Sequence, residues 1–428
     1  MASRASSTEP GPNLGAFRPI PFMGVIYVVA EAVKLGFWNG NPDWCNLGQG
    51  QPEVGELEGA PKRMGAFEFD PAEHAYGPVE GTLALRQAIA DYYNRTFRSG
   101  KAQQYGPENV SVAAGGRLIL SRIFAALGEG VLGYQVPDYT AYEDMIGYHQ
   151  HRFTPVSILA HESDGFGVPV ARLREEVRAK GFSAYLVSNP CNPTGRVIRG
   201  EDLAQTVALA SEENCTLILD EFYSQFIYDG DQPGSGAVSA AEFIEDIESE
   251  PVVLVDGLTK GFRYPGLRLG WAVGPKAMVE TITRAASAID GGPPQVLQRV
   301  GVEILQADRV IQETDAVRRA FSIKRNLVLE RLEQMGIRCH PAAEGTFYQW
   351  ASIADLPAPL NDAETFFRRA LERKVMTVPG AYFDVNPGRR RRRPSPLSSW
   401  LRFSFGPSLE NVRMGLDRLA EMVAEARA

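Results

Sequence analysis

Three short stretches carry side chains able to do chemistry, and each follows an apolar run. The first is Asn189-Pro190-Cys191-Asn192-Pro193-Thr194-Gly195, where prolines and a glycine break regular structure and Asn192 offers an amide donor and acceptor. The second, Asp220-Glu221-Phe222-Tyr223, comes directly after Cys215–Leu219. An acid at the end of such a run is costly to bury unless it meets a cation or a hydrogen-bond donor. The third is Gly257-Leu258-Thr259-Lys260, with Arg268 eight residues beyond the lysine. A lysine that is desolvated or crowded by other cations loses its proton and becomes a nucleophile. Each stretch alone has an ordinary alternative: a strand-to-helix turn, a helix N-cap at Asp220, a surface lysine. Their order along the chain is what calls for a common frame.

That frame is an alternation of short apolar strands and amphipathic helices. Asn109–Ala114 reads as a strand running into Gly115-Gly116 and a helix from Arg117. Ser183–Ser188, Cys215–Leu219, Val252–Val255 and Leu269–Val273 read as further strands, with helical spacing at Leu203, Val207 and Ala210. Leu85, Ile89, Tyr92 and Tyr93 mark another helix face, and Val25, Val28, Val29, Ala32 and Val33 one more. Such alternation predicts an α/β fold whose mostly parallel sheet is covered by helices, with ligands gathered at the carboxyl ends of the strands. From about residue 296 the pattern changes. Residues 296–335 read as helical, 345–351 and 400–405 as strands, and Val412, Leu416, Leu419 and Val423 as a closing helix, which predicts a smaller α+β unit.

Composition narrows the functions. Over 428 residues there are 44 Lys+Arg against 52 Asp+Glu, a formal charge of −8, which argues against general binding to nucleic acid. Apolar content of 44% excludes disorder, and four scattered cysteines (Cys45, Cys191, Cys215, Cys339) fit free thiols in a reducing, cytoplasmic setting. Residues 1–16 hold no apolar secretory core and read as a mobile arm, and no apolar run is long enough to span a membrane. Arg389–Arg393 is expected to be a solvated loop. His149 and His151 lack a third metal ligand nearby, so no metal site is expected there.

Taken together, SNPCNPTG, DEFY, TKGFRYPGLRLG and RFSFG, in that order, resemble the class I/II aminotransferases, pyridoxal-phosphate enzymes of fold type I. The resemblance runs from about Asn46 to the last helix. It implies a homodimer with a mobile arm (1–16), a large cofactor domain (59–295), and a smaller domain formed by both chain ends (17–58 and 296–428). Lys260 would hold pyridoxal 5'-phosphate as a Schiff base and shuttle protons. Asp220 would pair with the pyridinium nitrogen, and Asn192 and Tyr223 with the phenolic oxygen. Tyr139 would stack on the ring. Gly115, Gly116, Arg117, Thr259 and Arg268 would take up the phosphate end, with Tyr76 reaching over from the neighbouring subunit. Arg402 and Gly50 would receive the substrate α-carboxylate, with Asn192 also in contact with the substrate.

Two departures stand out. The family usually has Ser where Gly257 stands, and Thr, Gln or an aromatic where Arg117 stands, so Arg117 or Arg263 is expected to supply the missing phosphate contact. The position that gives aspartate-type members an arginine for a second carboxylate falls on Ser287, with Arg284 one turn away, which argues against a dicarboxylate substrate. Asp290 suits either a turn before Gly291-Gly292 or a contact to a cationic or polar substrate group. The expected activity is transfer of an amino group between an L-amino acid and a 2-oxo acid. Rivals are β-elimination, cyclisation or oxidation on the same scaffold, or a non-catalytic binding protein.

Overall fold

The computed structural model describes residues 15–17, 20–68, 70–228, 236–339 and 341–428. Of the anticipated mobile arm, only residues 15 and 16 fall within them.

Twelve strands follow in chain order: β1 Cys45–Asn46, β2 Val110–Ala113, β3 Gly130–Val136, β4 Phe153–Leu159, β5 Ala184–Ser188, β6 Thr216–Asp220, β7 Val252–Gly257, β8 Gly270–Val273, β9 Tyr348–Ser352, β10 Val375–Met376, β11 Val378–Pro379 and β12 Trp400–Ser404. Seven form one sheet in the order β2-β8-β7-β6-β5-β3-β4. Its run from β7 to β4 is parallel, and only β8 is antiparallel to its neighbours. Each central strand is buried on both faces. Leu186, Ile218, Val253 and Val255 join the cluster packed by Ile119, Ile123 and Ile282; the alternate residues Tyr185, Val187, Leu217, Leu219 and Leu254 join the cluster packed by Ile89, Leu203 and Val207. The period of two sends neighbouring side chains to opposite helical layers, which is why these strands read as continuous apolar runs.

The expected strands of this sheet fall within two residues of the observed ones, but β3 and β4 had no clear signal. Two glycines and a glutamine dilute β3 (GVLGYQV), and Pro155 interrupts β4 (FTPVSIL). Proline cannot donate to a ladder, and β4 tolerates it because it lies at the sheet edge.

The remaining strands make a three-stranded antiparallel sheet, β11-β12-β9, and the parallel pair β1–β10. The β1–β10 pair ties Cys45 to Val375, so the N-terminal segment is built into the C-terminal part. The predicted 296–335 helix is two helices, Gln295–Ile304 and Ala307–Gln334. The register of the large sheet matters most for function. Ser188 lies opposite Asp220, and Asp220 opposite Val255, so the three chemistry-bearing loops leave adjacent strand ends on the same edge. Among the described residues no helix is long and apolar enough to cross a membrane.

Candidate active site

Lys260 follows β7 after one tight turn. Its Nζ donates to the Gly50 carbonyl and sits 5.9 Å from the centre of the Tyr223 ring. Burial, with Arg402 and Arg268 nearby, lowers the Lys260 ammonium from its ordinary range to about 7, against a weaker opposing pull from Asp220. Gly50, Asp220, Tyr223, Arg268 and Arg402 therefore converge on this one amine, although they span most of the chain.

Asp220 closes β6 and is 5% exposed. Burial raises its carboxyl to about 6, although the Tyr142 hydroxyl donates to Oδ2 at 2.7 Å and the Phe222 N–H to Oδ1 at 3.4 Å. Desolvation outweighs these two donors, so the acid is set to gain from a protonated cationic partner. No sequence pattern marked Tyr142; its contact with Asp220 joins residues 78 positions apart.

Tyr223 and Tyr348 share a hydrogen bond of 2.9 Å between their hydroxyls. Tyr348, which no sequence pattern marked, also lies under Arg402, with the guanidinium carbon 3.9 Å from the ring centre. Arg402 is 1% exposed, and its Nη1 and Nη2 donate to Asn192 Oδ1 and the Gly48 carbonyl, both at 2.9 Å. Its Nε–H is buried with no partner. A buried, unpaired guanidinium donor is costly and calls for an anionic acceptor. Asn192 uses its oxygen on Arg402, which leaves its Nδ2–H₂ as a donor.

A second anion-binding set lies where the helix Gly116–Ala126 begins. Its N-cap, Gly115, has φ +97° and no side-chain cap, and the first turn holds no acid. A Cβ on Gly115 would come within 2.3 Å of Arg268 Nη2, so only glycine lets that guanidinium lie against the helix start. Arg117 Nε donates to the Tyr139 hydroxyl at 3.3 Å, and the Thr259 hydroxyl is buried without a partner. Free N–H groups at a helix start, two arginines and an orphaned hydroxyl suit a phosphate group. Arg263 does not join them. Its Nε donates to Glu313 at 2.6 Å and its Nη1 to the Gly55 and Glu53 carbonyls, which leaves only its buried Nη2 without a partner.

Gly257 has a steric reason to lack a side chain. A Cβ there would stand 2.5 Å from the Leu269 carbonyl and 2.8 Å from Gly270 Cα across the β7–β8 pair. Serine at this position is therefore expected to cost about 1–3 kcal/mol of stability by forcing the pair apart. Thermal melting of Gly257→Ser checks this; an unchanged melting point with tighter cofactor binding would count against it.

Other expectations resolve differently. Arg122 clamps Asp290, with Nη2 donating to both carboxylate oxygens at 2.9 Å and Nε to one of them at 3.2 Å, so Asp290 is spent in an ion pair rather than offered to a substrate. Arg284 pairs with Glu280 on its own helix. Within the arginine run, Arg391 pairs with Asp384 and Arg389 lies 3.7 Å from Glu143, while Arg390, Arg392 and Arg393 are exposed. Tyr76 is fully exposed and touches none of these groups within the chain.

Comparison with known proteins agrees with the geometry. The family model for aminotransferase class I and II matches residues 42–419. The aspartate/prephenate aminotransferase of Thermus thermophilus is 28% identical over 383 residues, covering 85% of this chain and 90% of that protein. The LL-diaminopimelate aminotransferase of Halothermothrix orenii is 25% identical over 408 residues, covering 94% and 95%. Among solved structures, Thermus thermophilus aspartate aminotransferase with maleate superposes with a TM-score of 0.75 at 25% identity, covering 95% of this chain and 97% of that one.

Proposed function

We propose that this chain, which belongs to the aminotransferase class I and II family and is thus a pyridoxal-phosphate-dependent transferase, moves an amino group between an L-amino acid and a 2-oxo acid through Lys260. The observation that carries this reading is the convergence on one lysine amine, lowered to about 7, of a buried acid and two arginines.

The residues present fit the cofactor. The Gly115 cradle, the unpaired Thr259 hydroxyl and Arg268 offer a phosphate seat, and Asp220 offers an acid for a ring nitrogen. When bound, pyridoxal phosphate supplies a ring that accepts the electron pair left when a substrate loses its Cα proton. Lys260 Nζ, with a pKa lowered to about 7, would hold the cofactor covalently and, once released, would take up and return the substrate Cα proton. Asp220 would keep the ring nitrogen protonated, and the Tyr142 hydroxyl holds Asp220 in place. Asn192 and Tyr223 would serve the phenolic oxygen, Tyr139 would stack on the ring, and Gly116 and Arg117 would complete the phosphate seat. Arg402, through its unpaired Nε–H, and Gly50 receive the α-carboxylate. The exposed Tyr76 serves the active site of a second copy, which makes the working unit a homodimer.

The reading is tested with a panel of amino donors, following conversion of bound cofactor to pyridoxamine phosphate. Neutral donors are expected to convert it with release of the matching 2-oxo acid, and aspartate to do so more slowly. Release of ammonia or hydrogen peroxide instead would assign a different reaction to the same site.

A further inference from the structure

Asp138 is fully buried, next to the active site, and has no part in the chemistry above. All three donors to its carboxylate are neutral. The Ser188 hydroxyl donates to Oδ1 at 2.5 Å, the Tyr139 N–H to the same oxygen at 2.6 Å, and the Ser188 N–H to Oδ2 at 3.2 Å. Burial raises its carboxyl to about 8, and the hydrogen bonds from Ser188 and Tyr139 offset that only in part, so an acid held here at such cost needs a structural or functional return.

The hydrogen bonds continue from Ser188 in a fixed direction. Because the Ser188 proton is committed to Asp138, its oxygen is free to accept the Asn192 N–H, at 3.2 Å. Asn192 Oδ1 in turn accepts Arg402 Nη1 at 2.9 Å. The Asp138 N–H donates to the Phe383 carbonyl at 3.2 Å, and the Phe383 ring lies 5.1 Å from the Arg402 guanidinium. The Asp138 carboxyl thus connects to Arg402 through Ser188 and Asn192, while its backbone N–H separately ties down Phe383 beside the same guanidinium.

We propose that Asp138 is a positioning residue for substrate selection: acting through Ser188 and Asn192, it orients Arg402 so that an α-carboxylate is preferred over its absence. This rests on the assignment of Arg402 as the carboxylate clamp. An amide cannot replace the acid, because it presents one oxygen where three donors converge and turns an N–H₂ towards at least one of them. Asparagine at this position therefore leaves the Ser188 N–H, or the Ser188 hydroxyl together with the Tyr139 N–H, facing an N–H₂ group, which disturbs the seat of Ser188 either way.

The experiment uses holoenzyme in single turnovers and compares an amino acid with the amine that lacks only its carboxylate. In Asp138→Asn and in Ser188→Ala, kcat/KM for the amino acid is expected to fall about tenfold, chiefly through KM, as one buried hydrogen bond is lost. Turnover of the amine should stay within about twofold, since a scaffold defect would lower both substrates alike. Equal losses on both substrates, or no loss on either, would overturn the role of Asp138. Arg402→Gln separates the two levels of the argument. If it too leaves the preference for the carboxylate intact, the clamp assignment itself is wrong; if only the Asp138 and Ser188 variants do, the failure belongs to Asp138 alone.

Discussion

Lys260→Ala is expected to lower turnover by at least about 10⁴-fold, because one side chain serves as both covalent anchor and proton carrier. No neighbour can replace it, since the groups around it are guanidiniums, a carboxyl and phenols, none of which is a titrating amine. The same reasoning fixes a pH dependence. The lysine must be neutral to attack, and burial together with Arg402 and Arg268 brings it to about 7. Capture of pyridoxal phosphate by the cofactor-free protein should therefore rise about tenfold per pH unit below 7 and level off above it. Removing a cation should move the midpoint up, so Arg402→Gln shifts the curve to higher pH. Asp220→Asn, which removes the opposing charge, shifts it to lower pH. Stopped-flow absorbance measures all three, and curves unaffected by either substitution would contradict the electrostatic account.

The second large effect is expected at Asp220. Asp220→Asn keeps the volume of the side chain and leaves an oxygen for the Tyr142 hydroxyl, so folding should survive. It removes the anion that holds a proton on the ring nitrogen, and a buried charge stripped of its partner costs about 3–5 kcal/mol, or roughly 10²–10⁴ in rate. The loss should fall on proton removal from Cα while substrate affinity changes little. It would then appear in the limiting rate and in a larger effect of Cα deuteration. A variant within about threefold of the native rate would remove Asp220 from the mechanism.

The large sheet was legible because its central strands are apolar on both faces, and the chemical residues stand directly after them. Lys260, Asp220, Asn192 and Arg268 were therefore visible in order, without any contact being known. What the sequence did not reveal lies in pairings between distant positions. Tyr348 meets Tyr223 across 125 residues, and Asp138 meets Ser188 across 50. Neither pairing leaves a periodic trace. The ion pairs of Asp290 with Arg122 and of Arg263 with Glu313 were hidden for the same reason, since nothing local announces either partner. Gly257 looked like a missing phosphate ligand, whereas the structure shows a backbone approach with no room for a side chain.

The central claim is that Lys260 is the amine that carries the cofactor, and reductive trapping tests it most directly. Borohydride reduction of the holoenzyme fixes the cofactor to its lysine, and peptide mapping by mass spectrometry then locates it. The account predicts the added mass on the peptide containing Lys260, and its absence from Lys260→Ala treated in the same way. Added mass on another lysine of the native protein, or none at all, would contradict it.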